Sequence, residues 1–120
     1  MAYRQRIGQW GEEIAQNYLV GKGLFLITAN LRTRYGEIDL VMKEGKTIVF
    51  VEVKTRTNSK YGLPEGSITR QKQLHIKQSA EFLMQEHSDW GENWRIDVLA
   101  ISGRPGDLTL EILWFENAVA

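Results

Sequence analysis

The chain has 120 residues, 42% hydrophobic and 25% charged, with no cysteine and with fifteen basic side chains balanced by fifteen acidic ones. That composition suits one folded domain, 1–120, and excludes disulfides, cysteine-ligated zinc, iron–sulfur clusters and thiol nucleophiles. No stretch approaches the roughly eighteen apolar residues of a membrane span, and the N-terminal segment lacks an uninterrupted apolar run, so a cytoplasmic protein with no membrane partner is expected.

Residues 5–21 fit an amphipathic helix, because Ile7, Trp10, Ile14, Ala15, Tyr18 and Leu19 recur at helical spacing and Gly21 and Gly23 supply a stop. Three strand-like segments follow at 24–31, 36–42 and 47–55, the last rich in β-branched residues. A polar loop at 56–66 leads to a helix that Ser67 would cap and that runs to about His87. Two further strands, 94–101 and 108–115, are joined by a turn containing Gly-Arg-Pro-Gly. The order α-β-β-β-α-β-β packs economically as one sheet flanked by helices, an α/β class with mixed strand direction.

Charge is unevenly spread. Residues 1–80 carry thirteen basic and seven acidic side chains, and residues 81–120 carry two and eight. A basic working face is compatible with this, as is an ordinary solvated surface. Arg95 and Asp97 stand two apart on one strand and read as a structural ion pair. His75 and His87 have no metal-ligand spacing and read as surface or packing residues, while the four tryptophans read as core.

The hairpin at 36–55 carries the chemistry. Gly45 suits the first central position of a two-residue type II′ turn, which pairs Met42 with Val49, Asp39 with Glu52 and Glu37 with Lys54. Strand side chains alternate, so Asp39, Glu52 and Lys54 would share one face, with two carboxylates roughly 5 Å apart. Like charges opposed on a buried strand repel, so a divalent cation, a shared proton or a nearby basic group must compensate. Oxygen donors suit Mg²⁺ or Mn²⁺ rather than zinc. The plain alternative places Glu52 and Lys54 at an exposed strand end, with Glu37 paired to Lys54. On the first helix, Glu12 falls about 20° beyond the apolar arc and can reach the sheet rim, whereas Glu13 faces solvent. The second helix turns Lys72 and Gln73 inward near its start, either towards a polar site or to snorkel past the sheet edge.

Asp39, twelve residues, then Glu52-Val53-Lys54, preceded by helix Glu12, resembles the PD-(D/E)XK nuclease signature of the restriction-endonuclease-like fold. More closely, the chain is similar to the YraN-like family of uncharacterised bacterial proteins. The matching segments are Gly8-Gln-Trp-Gly11-Glu12 with Ala15, Asn30-Leu-Arg32, Gly36-Glu37-Ile38-Asp39-Leu40, Val49 to Arg56, Tyr61-Gly62, Lys72 and Arg95-Ile96-Asp97-Val98. Ile38 stands where the name-giving motif has proline.

The resemblance implies a core of helix, three strands, helix and strand, with a site where the central strands diverge. It also implies relatives among Holliday-junction resolvases. Under it, Asp39, Glu52 and the Val53 carbonyl would ligate Mg²⁺ or Mn²⁺, and Glu12 would hold a water or a second metal. Lys54 would assist the attacking water or stabilise the phosphorane, and Lys72, Gln73, Arg56 and Lys60 would grip phosphate oxygens. The expectation is a metal-dependent endonuclease acting on DNA, branched DNA included, and a two-fold substrate would call for a homodimer. A non-catalytic nucleic-acid-binding module and a protein–protein adaptor are the alternatives.

Overall fold

The structure, a computed structural model, describes residues 2–57 and 68–119. Helix α1 (Tyr3–Gly21) is followed by strands β1 (Phe25–Thr33), β2 (Gly36–Glu44) and β3 (Thr47–Arg56). Helix α2 (Arg70–Glu86), a short 3-10 turn, β4 (Asn93–Ser102) and β5 (Glu111–Phe115) complete the chain. The expected order and mixed sheet are both present. The five strands lie in the order β1-β2-β3-β4-β5, with β3 and β4 parallel and the remaining neighbours antiparallel. A helix covers each face.

The alternation of β3 fills both faces. Val49 and Val51 join Leu40, Met42, Leu99 and Ile101 against Ala15 and Leu19 of α1. Ile48 and Phe50 join Ile38, Val41 and Ile96 against Ile76, Ala80 and Leu83 of α2. Burying one such side chain contributes about 1.5–3 kcal/mol, so β3 is the element on which both half-cores depend. Trp10 and Trp114 pack on the first cluster and Trp90 and Trp94 on the second, as core residues. His87 stacks on Trp90 at 3.9 Å between ring centres, a packing role.

Gly45 has φ 59° and Lys46 avoids the left-handed region, as a type II′ turn requires. The resulting register holds from Glu44↔Thr47 to Leu40↔Val51. Three expectations need correction. Thr69, not Ser67, caps α2, its hydroxyl accepting the Lys72 amide at 3.1 Å; Ser67, Lys60 and Tyr61-Gly62 lie outside the described residues. Strand β5 begins at Glu111, because Gly103 (φ 136°) turns the chain and the Asp107 carboxylate takes the Arg104 amide at 2.8 Å, keeping residues 104–110 in a loop. Glu37 faces Arg32 across β1 rather than Lys54 across β3.

Candidate active site

That last correction follows from a break in the strands. Ala29 and Leu40 pack towards α1, whereas Leu31 and Ile38, two residues away on the same strands, pack towards α2. Residues two apart in a regular strand share a face. Both strands therefore reverse their alternation at Asn30 and Asp39, and Asn30 accommodates the reversal with φ 53°, a conformation Asn tolerates. The β2–β3 ladder ends at Leu40↔Val51. Asp39, freed from strand pairing, turns its carboxylate to the next strand and accepts the Val53 amide at 2.8 Å.

Glu52 is 4% exposed and lies on the α2 face, where Lys72 Nζ meets its Oε1 at 3.0 Å. The exposed-strand-end alternative for Glu52 thus fails. Glu12, Asp39, Glu52, Val53, Lys54 and Lys72 all line one open cleft of about 500 Å³. The Lys54 side chain makes no ion pair or hydrogen bond with the described residues. Glu13 faces solvent while Glu12 is half-buried, as the helical wheel required.

The electrostatics record how the carboxylates coexist. Burial, then the neighbouring Glu52 charge, pushes the Asp39 carboxyl up to about 8, against the opposing Val53 hydrogen bond and Lys72 charge. Burial also raises Glu12; a hydrogen bond from Asn30 opposes the rise, and Glu37 and Glu52 add to it. Burial would lower Lys72, but the charge and hydrogen bond of Glu52, with Asp39 and Glu37, outweigh it and leave the ammonium held above its ordinary value. Of the three compensations open on sequence grounds, the fold itself supplies a basic group to Glu52 and favours a proton on Asp39.

One expected substrate contact, Gln73, lines a different cavity. It donates from Nε2 to the Ile68 carbonyl at 3.0 Å, and Val98 and Val119 line that small cavity with it. Arg56 ends β3, its carbonyl accepting the Gly103 amide at 2.8 Å, between Thr55 and Thr57, which both line the cleft. Conversely, Arg4 and Gly8 of α1 line the cleft beside Glu12. Their four-residue spacing to Glu12 is a helical-face signal that sequence reading passed over. Gly11 has a packing role: a Cβ there would collide with the Thr55 side chain, so glycine lets α1 sit close on β3 beside the site.

Residues 11–101 match the model of the Uncharacterised protein family UPF0102. The chain belongs to that family. The YraN-like resemblance is borne out, and curated UPF0102 proteins match over most of their own length. One from Caldicellulosiruptor bescii is 45% identical over 98 residues, 81% of this chain and 82% of that one. Another, from Methylococcus capsulatus, is 41% identical over 118 residues, covering 98% and 94%. A third, from Syntrophus aciditrophicus, is 39% identical over 113 residues, covering 94% and 89%. Among solved structures, SfsA of Pyrococcus furiosus in complex with Ca²⁺ aligns at 18% identity and a TM-score of 0.41. The alignment covers 94% of this UPF0102 chain and 63% of the SfsA chain. Among the described residues no helix is long and apolar enough to cross a membrane.

Proposed function

We propose that this protein is an endonuclease that cleaves DNA phosphodiester bonds with Mg²⁺ or Mn²⁺. One observation carries the reading: Asp39 and the buried Glu52 are gathered at an open cleft that Lys54 also lines. A protein that only binds nucleic acid has no use for paired carboxylates that repel phosphate. The resemblance of Asp39 and Glu52-Val53-Lys54 to the PD-(D/E)XK pattern supports the same conclusion.

The donor chemistry fits a hard cation. Burial first, and then the Glu52 charge, holds the Asp39 carboxyl up at about 8, and a bound cation would offset both. Among the described residues no group of three or more His, Cys, Asp or Glu side chains is placed to hold a metal ion, and Glu12 is given to the water rather than to the ion. Asp39 and Glu52, with the Val53 carbonyl, would hold the ion, and Mg²⁺ commonly takes one or two carboxylates and keeps its remaining waters. When bound, the ion supplies positive charge that polarises phosphate and acidifies water.

The protein's own groups do the rest. Lys54 places an ammonium where charge develops on the phosphate oxygens. Glu12, braced by Asn30 and raised by burial, sits across the cleft as a proton acceptor for the water. Lys72 holds Glu52 in place, and Arg4 lines the same cleft to meet the flanking phosphates. The test is incubation of duplex, single-stranded and four-way DNA with Mg²⁺ or Mn²⁺, beside Glu52→Ala. Cleavage lost in the variant supports the reading, and cleavage unaffected by it, or absent under every condition, opposes it.

A further inference from the structure

A second cavity of about 370 Å³, within the usual range of ligand pockets, adjoins the cleft at Asp39 and Lys72, which line both. Its walls are Tyr35 of the β1–β2 turn, Gly36 at the start of β2, and His75, Ile76 and Ser79 of α2. The turn is fixed to the helix by a Thr33–Ser79 hydroxyl hydrogen bond of 2.8 Å, and Thr33 Oγ1 also accepts the Tyr35 amide at 3.0 Å. The Tyr35 ring is braced as well. The Arg34 guanidinium lies 4.9 Å over it and donates to its hydroxyl at 2.8 Å, and Phe82 meets it edge-on at 6.2 Å. Glu37 at the rim is paired with Arg32 at 3.4 Å, so its charge is partly offset where a nucleotide would enter.

We infer that this groove is a second subsite, taking the unpaired nucleotide next to the scissile phosphate with its base stacked on Tyr35. The substrate is then single-stranded or branch-point DNA. The inference rests on the nuclease reading, since that reading places the phosphate in the adjoining cleft. Bases inside a duplex are covered on both faces by their neighbours, and only an unstacked base can lie on an aromatic ring held in a groove. Lys72 and His75 stand along the groove as donors for its sugar and phosphate.

The test measures binding without divalent metal, by fluorescence anisotropy, and stacking, by quenching of 2-aminopurine at the branch point of a four-way DNA. Wild type should quench the probe. Tyr35→Ala should relieve quenching and weaken single-stranded and four-way binding about five- to a hundredfold, the factor corresponding to one lost base–aromatic stack. Its duplex affinity should stay within about twofold, and Tyr35→Phe should behave as wild type. Unquenched probe on wild-type protein, or an equal loss on duplex DNA, overturns the subsite. Tyr35-dependent binding with no cleavage under any metal keeps the subsite and overturns the nuclease reading; cleavage indifferent to Tyr35→Ala does the reverse.

Discussion

Two buried acidic sites share the central strands on opposite faces of the sheet, and they are neutralised differently. Asp97 is fully buried, beside Val51 in the parallel register. It accepts Arg95 Nε at 3.0 Å, Trp114 Nε1 at 2.9 Å and the Asn117 amide at 2.8 Å, while Arg95 reaches on to Glu44 at 2.8 Å and Glu116 at 3.1 Å. Asp39 and Glu52 hold, among the described residues, one amide and one half-exposed ammonium between them. A carboxylate enclosed by rigid donors fastens β4 to β5 and has no capacity left for a ligand. A carboxylate pair short of positive charge and open to a cleft is arranged for something that arrives.

The comparison breaks most visibly at Asp97. Asp97→Ala strands Arg95, the Trp114 indole and an amide, and should cost about 3–5 kcal/mol in urea unfolding. Glu52→Gln should cost under about 1 kcal/mol, because Lys72 can turn to water. Equal costs would make the two sites alike. The reverse asymmetry belongs to catalysis. Lys54→Met should leave stability within about 1 kcal/mol and cut single-turnover cleavage a hundredfold or more, about 3 kcal/mol of lost transition-state stabilisation. Unchanged cleavage removes Lys54 from the site.

Smaller effects sharpen the contrast. Gly11→Ala drives a methyl into Thr55 and should destabilise by about 1–3 kcal/mol while displacing Glu12. Gly8→Ala, with open space around the added carbon, should stabilise α1 by about 0.5–1 kcal/mol. A further effect is in pH. Because Asp39 binds its proton more tightly folded than unfolded, metal-free stability is greatest below its ordinary range and falls as pH rises through about 8. Asp39→Asn keeps an acceptor for the Val53 amide and should flatten that fall in melting temperature.

Much of this was legible in the chain. Gly45 dictated the hairpin register, and the opposed carboxylates it brought near each other announced that a compensation was required. The reversal at Asn30 and Asp39 was not legible, because a coordinated break in two strands preserves the residue count from which register is read. That reversal is why Glu37 left Lys54 for Arg32. The partner of Lys72 was hidden too: helical periodicity places the lysine inward but cannot say that Glu52 meets it there. Leu108 to Leu110 has strand composition, yet the Asp107 turn holds it in a loop, a tertiary effect that overrides propensity.

The central claim is that Asp39 and Glu52 await a divalent cation while Asp97 is complete without one. The direct measurement is melting temperature at pH 7.5 against increasing Mn²⁺ for wild type and Asp39→Asn, since preferential binding to the folded state raises stability. The account predicts a rise that saturates in wild type and is lost in Asp39→Asn. An equal rise in both proteins, or no rise in wild type, contradicts it.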